Sequence, residues 1–276
     1  MFEINDIVCD AKFYARRGWL YTFEAQPVKA LEQFEQALSL DNDCCEALMG
    51  AGVVSWTCLN YDSALYFFNR LIASDPANAE AYANRGAIFA IVGDYSEALA
   101  DFKSSIRIDE HCVTAYINRA SLNMRLESFE AAIDDLSHAL QDEVSALIFA
   151  KRAFAYFMLN DFENTIEDCT YALAFQSDFA CAHYLRGLSH YNTLDYAAAI
   201  SDFDLALELA PDAAEIYYAR ACAYQYMMEF DLAAQDMNKA AQLDQKYADL
   251  ADQLANSEMP AVTIHNIQSV WAKKIA

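Results

Sequence analysis

An all-α solenoid of tandem helix-turn-helix repeats is the fold class this sequence predicts, on three observations. The first is a fixed period. Gly86, Phe89, Ala98, Phe102 and Ser105 recur 34 residues later as Ala120, Asn123, Ala132, Leu136 and Ala139. The same places hold Gly52, Ser55, Ala64, Phe68 and Leu71 34 residues earlier, and a period in the 30s is the mark of a helical repeat array. The second is the spacing of apolar places by three, four and seven within each half-repeat, which gives two amphipathic helices. The third is turn chemistry between the halves, such as Gly93-Asp94 and Asn160-Asp161.

In chain order, residues 1–10 form a lead-in, and seven units follow at 11–44, 45–78, 79–112, 113–145, 146–179, 180–213 and 214–247. Their eighth places are Gly18, Gly52, Gly86, Ala120, Ala153, Gly187 and Ala221, all small, so two helices can approach closely there. The twenty-fourth places are Phe34, Phe68, Phe102, Leu136, Cys169, Phe203 and Met237. Pro27 opens the second helix of the first unit, where a first-turn proline is tolerated. Residues 248–256 continue helically with Leu250 and Leu254 on one face, as a capping helix that closes an open solenoid end. After a break at Ser257–Pro260, the tail within 257–276 sets Ile264, Ile267, Trp271 and Ile275 at amphipathic spacing. It serves either as further capping or as a segment that docks in a groove.

Five units carry Arg before the small eighth residue and Asp before the twenty-fourth place: Arg85/Asp101, Arg119/Asp135, Arg152/Asp168, Arg186/Asp202 and Arg220/Asp236. Both are missing together in the second unit, which has Ala51 and Phe67, and the first sets Arg17 opposite Gln33. Charges that come and go together predict an ion pair between the two helices of a unit, because a lone buried charge is costly.

The small-aromatic-Ala-Phe pattern at this period, over residues 11–247, resembles the tetratricopeptide repeat family. The prolines of that family near the ends of units survive here only at Pro76 and Pro211. The resemblance implies a right-handed superhelix whose first helices line a concave ligand-facing surface.

Composition narrows the function. Eighteen basic against 41 acidic residues leave a net charge of −23, which repels nucleic-acid phosphates and anionic membranes. No apolar run approaches the roughly 18 residues of a membrane span. Neither a secretory signal nor a C-x-x-C pair is visible, so the eight cysteines read as free thiols in a cytoplasmic protein.

The sequence offers little chemistry. His183 and His190 lie seven apart at places where other units carry aromatics, so they read as core histidines rather than metal ligands. Asp41-Asn42-Asp43 lacks the later Gly and Glu of a calcium loop. With no phosphate loop, nucleophile elbow or zinc-binding helix motif, no catalytic residue, cofactor or metal is expected.

By the family analogy, the binding surface includes Trp56, Asn84, Asn118, Met124, Arg125, Lys151, Phe154, Phe157, Tyr184 and Tyr191. The aromatics and methionine are the expected anchors. Asn84 and Asn118, at the same place of successive units, resemble an asparagine ladder that clasps peptide backbone; bonding to neighbouring helices is the equal alternative. Arg125 and Lys151 are the nearest cations for a ligand carboxylate. The three-unit carboxylate clamp of the co-chaperone members is not met, since Met49 and Val53 stand in its Lys/Asn places. The expected function is a cytoplasmic, non-enzymatic adaptor that binds an extended peptide or amphipathic helix of another protein. An architectural subunit that self-associates as a homodimer through groove and tail is the alternative.

Overall fold

The computed structural model describes residues 10–248, so most of the expected capping helix and all of the 257–276 tail lie outside the described residues. Fourteen helices are present among them, and no strand. The chain divides after Leu126 into two compact units. The first unit holds α1 (Ala11–Phe23), α2 (Pro27–Leu40), α3 (Cys45–Thr57), α4 (Tyr61–Ser74), α5 (Ala79–Val92), α6 (Tyr95–Ile108) and α7 (Val113–Arg125). The second holds α8 (Phe129–Asp142), α9 (Ala146–Met158), α10 (Phe162–Phe175), α11 (Ala180–Asn192), α12 (Tyr196–Leu209), α13 (Ala214–Tyr226) and α14 (Phe230–Leu243). In the first unit α2, α4 and α6 each pack on the first helix of their own repeat and on that of the next, as α10 and α12 do in the second, where α8 also packs on α9 and α14 on α13.

One turn design makes these hairpins. The first helix ends on a left-handed residue, and the following amide reaches back to a carbonyl in the last turn, a Schellman closure. Asn60 donates to the Ser55 carbonyl at 2.9 Å, Asp161 to Tyr156 at 3.0 Å and Asp195 to His190 at 2.9 Å. The same residue then caps the next helix: the side chains of Asn60, Asp161 and Asp195 accept from Ser63, Asn164 and Ala198. One residue thus closes one helix and opens another, which explains the short, sharp turns. Gly93 supplies the left-handed place in the third repeat with φ +99°, whereas Leu59, Leu194 and Met228 are forced into it at φ 60°, 66° and 63°.

The core follows the small and large places of the repeat. Phe34, Phe68, Phe102 and Phe203 are fully buried. Each lies against the glycine at the eighth place of its own repeat. A Cβ on Gly187 would stand 2.7 Å from Phe203 Cε1, and one on Gly52 2.7 Å from Phe68 Cε1. Gly50 closes the other side of Phe34 in the same way. The pairing is reciprocal in sequence: where the eighth place is Ala, the twenty-fourth is Leu136, Cys169 or Met237, never Phe. Gly187→Ala is therefore expected to lower stability by about 1–3 kcal/mol through overpacking. Adding Phe203→Leu should recover most of that loss, as read from chemical denaturation midpoints.

The arginines join these layers. Arg85 donates from Nε and Nη2 to the two carboxylate oxygens of Asp101, both at 2.7 Å. Arg152 holds Asp168 at 2.8 and 2.8 Å, Arg186 holds Asp202 at 2.9 and 2.8 Å, and Arg220 holds Asp236 at 2.7 and 2.8 Å. Arg119 and Asp135 belong to different compact units. The remaining guanidinium nitrogen, Nη1, reaches the second helix of the preceding repeat: Asn69, Ser137, Thr170 and Asp204 accept from Arg85, Arg152, Arg186 and Arg220. Each of these arginines ties its own hairpin shut and bolts it to the one before. A planar fork with five donors suits three acceptors in this way, as a lysine ammonium does not.

Candidate partner-binding surface

In the first unit the first helices α1, α3, α5 and α7 contact one another in sequence, which sets equivalent places side by side. Trp56 is half-buried on α3 and packs with Met49, Val53, Tyr61 and Leu65 over Ala64, Phe68 and Ile88. Asn118 and Met124 are half-buried on α7, beside the half-buried Ile117. On the same helix faces, Phe23 at the end of α1 is 86% exposed and Ile91 on α5 is 42% exposed. Aromatic and methionine side chains here rest on the core and keep one side accessible.

Two polar residues differ from expectation. Asn84 is buried, and its amide nitrogen lies 3.5 Å from the Met49 sulfur of the preceding repeat. Its donor thus turns towards a neighbouring helix, the alternative its place in the repeat left open. Arg125 is exposed, but its guanidinium donates to the Ala90 carbonyl at 3.1 Å and the Tyr95 hydroxyl at 3.0 Å, and lies 5.2 Å over the Tyr95 ring. This cation fastens the end of α7 to the α5–α6 hairpin, so a ligand carboxylate must compete with bonds already made.

The second unit corrects the expected surface more strongly. Phe157, Tyr184 and Tyr191 are buried, as are Leu188 on α11 and Tyr218 on α13. Phe157 meets Phe162 edge-on at 5.6 Å, Tyr184 lies 6.0 Å from Phe203, and Tyr191 packs on both Tyr196 and Tyr226. The reason is size. At the fifth place the first unit carries Ala15, Met49, Ala83 and Ile117, whereas the sixth and seventh repeats carry Tyr184 and Tyr218. The Tyr184 ring packs against Phe203 of α12 and the Tyr218 ring lies 5.1 Å from Tyr247, so both join the core. Burial pushes the Tyr184 hydroxyl well above its ordinary range, as a sealed phenol requires. Lys151 and Phe154 remain half-buried on α9; burial lowers the Lys151 ammonium below its ordinary value, and Phe154 packs against the core.

Among the described residues no cluster of His, Cys, Asp and Glu is arranged to hold a metal, and the seven described cysteines are free thiols. None of the described helices is long and apolar enough to cross a membrane.

The accessible arms of the arginines at Asn69, Ser137, Thr170 and Asp204 were not anticipated. Their signal was present: the twenty-fifth place carries an acceptor in each of those repeats. Nor did the spacing reveal the bonds of Arg125, because they join three helices at places with no regular pattern.

Comparison with known proteins agrees with this architecture. Tetratricopeptide repeat models match residues 25–79 and 59–111, and again 180–213 and 214–247. A search of curated proteins finds no match. Among solved structures, the chain is similar to PilF of Pseudomonas aeruginosa at a TM-score of 0.68 and 15% identity, over 77% of this chain and 98% of that one. It is similar to a chain of the Cut9-Hcn1 hetero-tetramer of APC/C at 0.67 and 17%, covering 87% of this chain and 48% of that one. YrrB, described as a TPR protein with an unusual peptide-binding site, matches at 0.61 and 21%, over 67% and 97%. At these identities the likeness is one of fold. Reciprocal small and large places, Schellman hairpins and repeat-model matches in both halves lead to one conclusion: this chain belongs to the tetratricopeptide repeat family.

Proposed function

We propose that this protein is a non-enzymatic cytoplasmic adaptor that binds an extended peptide or amphipathic helix of another protein along the first helices of its first unit. The observation that carries this reading is the row of half-accessible apolar side chains, Trp56 and Met124 with Met49, Val53 and Ile117 beside them, in a chain of net charge −23. Aromatic and methionine side chains anchored on one side and open on the other suit burial by a partner. Asn118 supplies both a donor and an acceptor for peptide backbone, and Lys151 with Phe154 forms a second, smaller group on α9.

The reading is tested by screening the full chain against a peptide array and measuring affinity for the best peptide by fluorescence anisotropy. Trp56→Ala with Met124→Ala is expected to weaken binding at least tenfold, about 1.4 kcal/mol or more, with helical circular dichroism unchanged. Unchanged affinity would move the site off this face.

Self-association is the second reading, and one patch favours it. At the α13–α14 turn Met228 is 77% exposed and Phe230 58% exposed, with Tyr226, Met227 and Leu232 also exposed. Light scattering on the full chain separates the two: a dimer lost in Met228→Glu with Phe230→Glu supports the architectural reading, and a monomer at all concentrations excludes it.

A further inference from the structure

In the first unit the tenth place of a repeat faces the second helix before it. Val54 clusters there with Ala30 and Phe34, Ile88 with Ala64 and Phe68, and Leu122 with Ala98 and Phe102. All three are buried, as are Ala155, Ser189 and Ala223 at the same place of later repeats. In the first repeat the tenth place belongs to Leu20, which is 55% exposed. The third place behaves alike: Ala47, Ala81, Ala115, Ile148, Ala182 and Ile216 are buried, whereas Phe13 of the first repeat is only half-buried. No described helix precedes α1, so a face that receives a helix in other repeats is open here. A solenoid end ordinarily presents a polar outer face. This one presents a leucine and a phenylalanine.

Phe13, Arg17 and Leu20 stand four and three residues apart, one stripe along α1. With Asp10, Lys12 and Arg16 they line a groove of about 550 Å³. The Asp10 carboxylate serves as the helix cap, accepting from the Phe13 amide at 2.8 Å. The rest of the rim is cationic. Lys12 and Arg16 are exposed one turn apart, and α1 has three basic residues and no acid. It is the most positive of the described helices, in a chain of net charge −23.

The internal junctions specify what fits such a face. An alanine and a phenylalanine four residues later, on the preceding helix, seat the tenth-place side chain. A polar residue next to that phenylalanine accepts from the seventh-place arginine, as Asn69 does from Arg85 and Asp204 from Arg220. Arg17 stands at that seventh place. Two segments of this protein suit the face poorly. The tail carries Lys273 and Lys274 and no acidic side chain after Glu258, so its charge has the wrong sign. In the last repeat of a second copy, Ala233 and Met237 hold the seating places and are already buried.

We propose that this face of α1 is a second interaction site, which takes an acidic amphipathic helix of another protein in the position of a preceding repeat's second helix. That helix brings an alanine and a large apolar residue four places on to cover Leu20 and Phe13, and carboxylates at its edges for Lys12 and Arg16. The site does not use the row of Trp56 and Met124, so either can fail without the other.

The probe is the sequence of α12, residues 196–209, as a fluorescent peptide stapled between its exposed places Ala197 and Ser201. It has Ala199 and Phe203 at the required spacing and the acids Asp202, Asp204 and Glu208. Anisotropy with the full chain is expected to show saturable binding. Leu20→Glu, and separately Lys12→Glu with Arg16→Glu, should each weaken it about tenfold or more. These side chains are exposed, so circular dichroism should not change. Trp56→Ala with Met124→Ala should leave the affinity as it was. Absence of saturable binding, or equal affinity in the α1 variants, overturns the proposal. Loss of binding in the Trp56 and Met124 variant places the peptide on the other face and overturns it too. The lead-in 1–9, with Phe2, Ile4, Glu3 and Asp6, is the competing occupant. If deleting residues 2–9 raises affinity about tenfold, the lead-in holds the face and the proposal falls.

Discussion

Arg152→Met is expected to destabilise the second unit by about 3–5 kcal/mol, the usual range when one partner of a buried ion pair is removed. Asp168 is then left with 4% of its side chain exposed, and the two hydrogen bonds from Arg152 are gone. The Ser137 hydroxyl of the preceding repeat loses its partner as well. Asp168→Leu added to Arg152→Met should recover most of the loss, because the desolvated charge disappears with its partner. The pH dependence has a definite sign. Burial already raises the Asp168 carboxyl, against the lowering effect of Arg152, so removing the arginine raises it further. A carboxyl raised in the folded state binds more protons there than in the unfolded chain, and stability increases as pH falls. Urea midpoints of the single variant should therefore approach those of wild type on acidification, while the double variant shows no such approach. A single variant as stable as wild type at neutral pH would remove the arginine row from the account of how these repeats are held.

Phe203→Ala is expected to cost about 3–5 kcal/mol, as for other fully buried phenylalanines. The ring is fully buried, lies against Gly187, Ala199 and Tyr184, and belongs to the cluster that runs from Ala153 to Tyr247. Gly187, whose backbone faces the ring, has no side chain to fill the space, and the Ala199 methyl is short. The effect should appear as a lowered denaturation midpoint together with a weaker near-ultraviolet circular dichroism signal from the tyrosines packed around it. Phe175→Ala on α10, where the ring is 59% exposed, is the contrast and should cost far less. Equal losses for the two would contradict the assignment of the twenty-fourth place as the core of each repeat.

Much of the architecture was legible because a repeat array states its rules several times. Gly18, Gly52, Gly86 and Gly187 in register, with Phe34, Phe68, Phe102 and Phe203 sixteen residues later, announce a helix pair packed through a glycine. The Arg and Asp at matched places announced the ion pair, since their joint absence from the second repeat is hard to explain otherwise. The candidate surface was less legible. Trp56 and Met124 keep an accessible side, but Phe157, Tyr184 and Tyr191 occupy equally suitable places and are buried. The repeat position indicates which face of a helix a residue stands on. Whether that face is open depends on the size of its neighbours across two or three helices.

Taken alone, the amino-acid sequence determined the helix pairs, their turns and the residues at each close approach, because those depend on local spacing and on contacts within one repeat. Only the tertiary structure decided that the rings of the sixth and seventh repeats seal their own surface. It also decided that Arg125 is tied to Ala90 and Tyr95, and that His183 is held between two acceptors. These outcomes depend on how side chains from separate repeats share one space, and a 34-residue period read along the chain does not contain that information.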